Sequence, residues 1–289
     1  MDLLRQTYYI EHIELILFFG LVGFVLNRIA FQKSFYKLPV NIPFTQIKLS
    51  LIHVVICFVI YLINSVLLAP WVLSKIHPFF ISYQEAAAWA QVSVMFCSFL
   101  ILWGFCKSTL QKSFKQIWKV SLSGSSFSHD ILIGIASWIL AFPIVAVVEQ
   151  TADLIVYSLF GLQTYEQVAV LYLKMALKSP SELIAALLMI LVSAPLIEEF
   201  LFRGLLQTWI KKHLGMKAAI LLASLCFALF HVSPSYGVGN FSLVPSLFIF
   251  SCFLGFIYER QKSLFASIIL HATFNLVSTL RIIFTIDSL

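Results

Sequence analysis

Long apolar runs separated by short polar segments are the dominant pattern along this chain. A helix that crosses a bilayer needs about 20 mostly apolar residues, within a range of about 17–25. The pattern predicts an all-α, polytopic transmembrane bundle of about eight helices. The half-apolar segment Thr151–Lys178 could form an additional interfacial or re-entrant helix. The predicted spans are Leu15–Phe31, Leu49–Leu73, Ala86–Cys106, Ile131–Val148, Leu183–Leu206, Ala218–His231, Val244–Tyr258 and Leu264–Phe284, with some extension of the sixth and seventh.

The basic residues between these runs predict the orientation of the bundle. Arg28, Arg203 and Arg281 lie near the ends of predicted spans and are counted with the adjacent flank. In chain order, the nine flanking segments then hold 1, 4, 1, 4, 2, 4, 0, 2 and 1 of the 19 lysines and arginines. The even-numbered flanks hold 14 of them and the odd-numbered flanks hold 5. Because basic loops are retained on the cytoplasmic side, we expect eight helices with both termini outside. We expect a multi-pass protein of the cell (inner) membrane with its basic loops in the cytoplasm.

Composition agrees with a membrane protein and argues against a nucleic-acid-binding one. Hydrophobic residues make up 61% of the 289 residues and charged residues 11%, with a mean hydropathy of +0.96. A soluble domain is about 45–50% apolar and about 25% charged. The net charge of +6 is spread over the loops between apolar runs. It therefore indicates contact with an anionic lipid leaflet and no nucleic-acid partner.

The loop at Lys107–His129 divides the chain into two predicted regions. Its lysines alternate with apolar residues, which is compatible with an interfacial amphipathic helix and equally with an ordinary cytoplasmic loop. Ser121–Ser128 is rich in serine and glycine and predicts a flexible linker. We therefore expect an N-terminal three-helix transmembrane region at 1–128, including the basic loop and linker, and a catalytic transmembrane domain at 129–289.

Ionisable residues in three of the predicted helices lie far from the cytoplasmic lysines. Glu198 is 13 residues before Lys211, His231 is 14 residues after Lys217, and His271 is 9 residues after Lys262. At helical rise these separations are about 20, 21 and 14 Å. Deep charge is costly and usually functional, so the matched depths predict one shared intramembrane site.

Spacing indicates which polar groups share a helix face. Glu199 and Arg203 are four residues apart and can pair, which leaves Glu198 without a local partner. His271 and Asn275 are also four residues apart and project together. A glutamate near a histidine can accept a proton from water, and a histidine with an amide can donate hydrogen bonds to an oxyanion. These groups predict a hydrolase.

Other functions are compatible with the same residues. The charged cluster could be a structural ion pair that joins helices, or part of a proton-coupled membrane transporter. Many transporters contain two related halves, and we find no internal repeat. A non-proteolytic membrane immunity or scaffold protein is a third reading.

Three motifs in order resemble those of the CPBP intramembrane proteases, the CAAX-processing and bacteriocin-processing, Abi-like family that includes the type II CAAX prenyl endopeptidases. They are Glu-Glu-x-x-x-Arg at 198–203, Phe-x-x-x-His at 227–231 and His-x-x-x-Asn at 271–275. The resemblance covers roughly Asp130–Leu280 and nothing before the linker.

The resemblance implies roles for individual residues. Glu198 would activate water with help from His231, and His271 with Asn275 would form the oxyanion site. Glu199 and Arg203 would hold the geometry of the site. The implied enzyme is an intramembrane endopeptidase of the glutamate type, and its implied substrates are membrane-embedded or lipidated peptides of CAAX or bacteriocin type.

The family is also described as metalloendopeptidase-like, so a metal has to be considered. Two histidines and carboxylates are a possible zinc ligand set, and no His-Glu-x-x-His motif is present. We favour chemistry without a metal or other cofactor. If zinc binds, its ligands would be Glu198, His231 and His271.

Overall fold

The computed structural model describes residues 3–38, 47–118, 126–161, 168–177 and 179–286. Helix accounts for 91% of the structure and strands are absent from the described residues. The predicted all-α class is therefore confirmed. The α-helices are α1 (Leu3–Gln32), α2 (Leu51–Ile63), α3 (Ala69–Ile76), α4 (Tyr83–Leu110), α5 (Lys112–Trp118), α6 (Phe127–Phe160), α7 (Val168–Ala176), α8 (Pro180–Leu188), α9 (Ala194–Glu199), α10 (Thr208–Phe230), α11 (Asn240–Gln261) and α12 (Leu264–Ile286).

Short π-helical or 3-10 segments join several of these helices into longer continuous rods. Within the described chain, seven such rods are long and apolar enough to cross a membrane. The protein is therefore an integral multi-pass membrane protein, while the side on which each loop lies stays a prediction. The rods are Gln6–Gln32, Leu51–Phe79, Tyr83–Leu110, Phe127–Phe160, Pro180–Phe230, Pro234–Gln261 and Leu264–Phe284.

The rod Pro180–Phe230 turns back on itself at Gly215. Its 51 residues would extend about 76 Å as one helix, against a hydrocarbon layer of about 30 Å. Gly215 has φ 79° and ψ 172°, which interrupts the helix in a conformation that is essentially limited to glycine. The rings of Phe202 and Phe227, on either side of this break, lie 5.2 Å apart. The predicted fifth and sixth spans thus form a helical hairpin, which gives eight apolar helical segments among the described residues.

Contacts between neighbouring helices identify two ends of the bundle. At one end, Lys211 forms an ion pair with Glu259, and Ser263 donates to the carboxylate of Asp130. We call this the basic end, and Lys217 also lies there. At the other end, the rings of Phe160 and Phe241 lie 6.3 Å apart. We call it the turn end, after the turn segment Ser233–Asn240 that joins α10 to α11.

The first three predicted spans pack directly on the C-terminal region. One core cluster contains buried residues of α2, α4 and α5 together with residues of α9 and the following π segment. The Phe58 ring lies 5.2 Å from that of Phe202, and the Trp118 ring stacks on Phe200 at 5.5 Å. The two regions therefore share a hydrophobic core. The boundary at 128/129 stays a prediction, and residues 121–125 of the predicted linker lie outside the described residues.

The basic loop contains the short helix α5, whose apolar side chains face protein. Phe114, Ile117 and Trp118 are all buried against neighbouring helices. An interfacial helix would instead turn these residues toward lipid. Since α5 lies against the rod that carries Glu198 and Glu199, it contributes to the core behind the candidate site.

Helix α6 is longer than the predicted fourth span, which was expected to end at Val148. It continues to Phe160, so its 34 residues extend about 51 Å and exceed the hydrocarbon thickness. Its final turns pack on α1, where the hydroxyls of Tyr9 and Ser158 are 2.9 Å apart. Polar residues at a helix end can continue a helix once it has left the lipid, which hydropathy alone does not reveal.

We expect Gly215→Ala to destabilise the hairpin. An added Cβ would meet no atom within 4 Å, so the penalty is conformational, about 1–3 kcal/mol for a non-glycine residue at this φ and ψ. The measurement is the melting temperature of the purified protein in detergent. The matched control is Gly104→Ala, at an exposed helical glycine that also meets nothing within 4 Å. Equal melting temperatures for the two variants would contradict the proposed role of Gly215.

Candidate active site

Three helical segments bring their ionisable side chains together between the two ends of the bundle. The Oε2 atom of Glu198 lies 3.7 Å from His231 Nε2 and 4.0 Å from His271 Nε2. The side chains come from α9, from the residue that follows α10, and from α12. The matched depths in the sequence therefore correspond to real proximity.

Arg203 is held at several points by fully buried partners. Its Nη1 donates to Glu199 Oε1 at 2.9 Å, and its Nη2 donates to the backbone oxygen and hydroxyl of Ser251 at 3.2 and 2.6 Å. Its guanidinium carbon lies 4.5 Å from the ring centre of Phe227. The Glu199 and Arg203 side chains are 0% and 1% exposed, respectively. A buried ion pair is tolerated only when its remaining donors are also hydrogen-bonded. Ser251 accepts these bonds from the Arg203 guanidinium.

Glu199 also orients His271. The same Oε1 atom accepts a hydrogen bond from His271 Nδ1 at 2.9 Å. Because an ionised carboxylate can only accept, Nδ1 carries the proton, and Nε2 is the nitrogen that faces Glu198. The ring is packed edge-on against Phe250, with centroids 5.5 Å apart. Glu199 thus fixes both the tautomer and the direction of this imidazole.

His231 is oriented in a similar way by its own helix. Its Nδ1 lies 2.8 Å from the backbone oxygen of Phe227, one turn earlier. A carbonyl can only accept, so Nδ1 is the donor and Nε2 is directed to Glu198. The Phe227 ring packs on His231 at 4.6 Å and near His271 at 5.9 Å. The Phe227 ring therefore packs against both imidazoles.

Glu198 differs from Glu199 in having no strong partner. Its side chain is 14% exposed and accepts no hydrogen bond among the described residues, whereas Glu199 accepts two on its Oε1. The Oε2 atoms of both acids are buried without a donor. A buried carboxylate oxygen in this state has a high affinity for a proton donor such as water. The two adjacent acids therefore have different roles, since Glu199 is committed to the network and Glu198 remains available.

Pro195 explains a break in the backbone before the two acids. The segment Met189–Ser193 is π-helical, and the N–H of Ala194 bonds to the oxygen of Met189. The oxygen of Ile190 then loses its α-helical donor, and Pro195 has no N–H to replace it. Asn275 Nδ2 donates to this oxygen at 2.8 Å. A second π segment, Phe200–Gln207, follows the acids, and such segments are frequent at functional sites.

The predicted site residues thus fall into two groups. Five belong to one connected cluster: Glu198, Glu199, Arg203, His231 and His271. Asn275 lies one turn beyond His271 and uses one amide hydrogen on Ile190. Its oxyanion role stays a prediction that depends on the second amide hydrogen, since an amide nitrogen carries two.

The sequence reasoning missed two residues that contact the cluster. Ser251 lies in an apolar stretch of α11 and has no motif of its own, so only the fold reveals its bond to Arg203. Tyr61 of α2 lies close enough to Glu198 to interact with it electrostatically. Its ring is also 6.1 Å from that of Phe230. The N-terminal helices therefore form part of the wall of the site.

Within the part of the chain that the structure describes, no group of three or more His, Cys, Asp or Glu side chains is arranged to hold a metal ion. We therefore derive no step through a metal. The alternative assignment of Glu198, His231 and His271 as ligands stays a prediction.

Comparison with known protein families finds a match in the C-terminal region. Residues 180–277 match the family model described as "Type II CAAX prenyl endopeptidase Rce1-like". The match contains all six predicted site residues and is consistent with the resemblance to the CPBP proteases. No curated protein matches the chain. No solved structure matches it either.

We expect Arg203→Lys to destabilise the protein by about 1–3 kcal/mol, because an ammonium group cannot reach Glu199 and Ser251 together and leaves a buried acceptor unpaired. The matched control is Arg260→Lys. The guanidinium carbon of Arg260 also lies 4.5 Å from the centre of a phenylalanine ring, that of Phe35, and its Nε donates to the backbone oxygen of the same residue. Arg260 does not belong to the Glu198–Glu199 cluster. Thermal unfolding in detergent gives the comparison. A smaller loss for Arg203→Lys than for Arg260→Lys would contradict the network.

Proposed function

We propose that this protein is an intramembrane endopeptidase of the glutamate type, on the basis of the match of residues 180–277 to the type II CAAX prenyl endopeptidase family model. Its substrates are membrane-embedded or lipidated peptides. The observation that carries this proposal is the position of Glu198, whose free carboxylate oxygen faces two imidazole nitrogens within 4.0 Å. That arrangement supports proton transfer from water.

Glu198 acts as the general base. It takes a proton from a water molecule whose oxygen then bonds to the carbonyl carbon of the scissile peptide. As the carbon–nitrogen bond breaks, the same proton passes from Glu198 to the leaving amine. His231 Nε2 orients the water, since its other ring nitrogen is fixed by Phe227. General acid–base catalysis of this kind contributes about 10²–10⁴-fold to the rate.

His271 stabilises the oxyanion that forms on the substrate. Its Nδ1–H is used by Glu199, so donation from Nε2 requires the doubly protonated ring. Asn275 adds its second amide hydrogen to the same oxyanion.

The charge pattern of the loops indicates how the enzyme is oriented in the membrane. The basic loops face the cytoplasm and its anionic leaflet, and the bilayer of the cell membrane is both solvent and source of substrate. The reaction proceeds without a metal, because the free carboxylate and the two oriented imidazoles supply the acid and base groups themselves.

We expect Glu198→Gln to lower hydrolysis of a library of lipidated and transmembrane peptides at least about 100-fold, since an amide cannot accept the proton. The measurement is peptide cleavage by purified protein in detergent, followed by mass spectrometry. The matched control is Glu182→Gln, at an acid of α8 that accepts a hydrogen bond from Ser82 instead of facing the cluster.

Cleavage that is equal for Glu198→Gln and the original protein would overturn the assignment of the base. In the same assay, a zinc chelator leaves the rate unchanged if the reaction is metal-free. Loss of activity with the chelator, restored by added zinc, would instead indicate that Glu198, His231 and His271 bind zinc.

A further inference from the structure

We propose that Tyr61 of α2 is a substrate-binding residue of this site, and that its phenol hydroxyl forms a hydrogen bond with a peptide group next to the scissile bond. The family match begins at residue 180, so it assigns no role to α2. The inference rests on the proposed peptidase function and deepens it. It names what the substrate presents, which is a peptide group on the α10 side of Glu198.

The helix that carries Tyr61 runs antiparallel to the rod that carries the two acids. Its start lies at the basic end, because Lys212 Nζ lies 3.5 Å from the backbone oxygen of Leu49, just before α2. The rod reaches the same end at Lys211, which pairs with α11 there. Moving along α2 away from Leu49 therefore corresponds to moving back along the rod toward Glu198.

An aromatic contact between these two helices sets the depth of Tyr61. The rings of Phe58 and Phe202 lie 5.2 Å apart. Tyr61 comes three residues after Phe58, and Glu198 comes four residues before Phe202. At helical rise, Tyr61 is about 4.5 Å and Glu198 about 6 Å farther from the basic end than this contact. The phenol and the carboxylate are therefore at the same level of the bundle.

Tyr61 borders the acid from the side of α10. Its ring lies 6.1 Å from that of Phe230, the residue directly before His231. The phenol is close enough to Glu198 to interact with it electrostatically, and the hydroxyl of Ser65 lies beside the same phenol. Helix α12, with the oxyanion donors, packs on the other side of the rod. The phenol and α12 therefore border the acid from opposite sides.

Helix α4 holds α2 in the orientation that directs Tyr61 toward the site. Asn64 Nδ2 donates to the hydroxyl of Ser98 at 2.9 Å, and both side chains are buried. The buried sulfur atoms of Cys57 and Cys106 lie 3.6 Å apart across the same two helices. These contacts lie about one turn on either side of Tyr61. A rotation of α2 that removed the phenol from the site would break both of them.

The backbone of α2 changes shortly after Tyr61. Asn64–Leu68 is π-helical, and the N–H of Ala69 bonds to the first carbonyl of this segment. The oxygen of Ser65 then loses its α-helical donor, and Pro70 has no N–H to replace it. The same pattern of a π segment and a proline precedes the two acids. Such segments are frequent at functional sites, and this one adds a backbone acceptor near the phenol.

An extended peptide that reaches the site needs partners for its own N–H and C=O groups. These groups lose their hydrogen bonds to water in the hydrocarbon layer, where an unpaired polar group is strongly unfavourable. Backbone groups of the surrounding helices are mostly paired within each helix. The described residues also contain no strand edge to which a peptide could add. A phenol can both donate and accept, so Tyr61 supplies a partner that the helical walls lack.

We expect Tyr61→Phe to raise KM about 3- to 10-fold, the factor that one neutral hydrogen bond contributes, for the library peptide that the original protein cleaves fastest. A contact made equally in the ground and transition states leaves kcat unchanged. The ring is retained, so its packing on Phe230 and the melting temperature are unchanged. The matched control is Tyr9→Phe, which removes a hydroxyl 2.9 Å from that of Ser158 and leaves KM unchanged.

The same contact is measured without catalysis in the Glu198→Gln protein. We expect the Kd of the fluorescently labelled library peptide to rise by the same factor when Tyr61→Phe is added. Equal KM and Kd values with and without Tyr61→Phe overturn the inference, and so does a fall in kcat at unchanged KM. Cleavage that survives Glu198→Gln contradicts the proposed function instead. A library that is neither cleaved nor bound contradicts both.

Discussion

The carboxylate of Glu199, shared between Arg203 and His271, is the interaction on which the site depends. One oxygen accepts from the guanidinium of its own rod and from the imidazole of α12, each at 2.9 Å. A charged group near the centre of a bilayer costs at least about 2.5–3.5 kcal/mol on insertion scales. Because one Glu199 oxygen accepts from both side chains, it pairs Arg203 and His271 at once and joins α9 to α12. Glu198 beside it then needs no structural partner and remains free for chemistry.

The backbone and the surrounding core keep this arrangement in place. Pro195 and the π segment before it release the oxygen of Ile190, and Asn275 on α12 satisfies that oxygen. On the opposite side of the rod, Phe200 and Phe202 pack on helices of the N-terminal region. The rod that carries both acids is therefore fixed by hydrogen bonds on one side and by aromatic packing on the other. The N-terminal helices thus support the site although the family match does not extend to them.

Much of the architecture could be predicted from the sequence, because lipid imposes simple rules on it. Apolar length gave the helices, and the spacing of four residues placed Glu199 with Arg203. Matched distances from lysines in the predicted loops placed Glu198, His231 and His271 at one level, and the structure brings the three side chains together.

The remaining features depend on contacts between helices, which periodicity does not encode. Hydropathy reports lipid exposure and not helix continuity. The helix that continues between the predicted fifth and sixth spans as far as Gly215, and the full length of α6, were therefore not predicted. The bond from Ser251 to Arg203 joins residues 48 positions apart. Its spacing from His271 predicted an oxyanion role for Asn275. In the structure Asn275 contacts the backbone oxygen of Ile190, which lost its helical donor at a π turn in another helix.

The central claim is that Glu199 and His271 depend on each other across two helices. A double-mutant cycle with Glu199→Gln and His271→Leu, measured as the free energy of unfolding in lipid-mimetic detergent, tests it most directly. We predict that the double variant is less destabilised than the sum of the single variants, with a coupling of about 0.5–3 kcal/mol for contacting residues. Additive losses would contradict the account, because they would mean that the two side chains stabilise the protein independently.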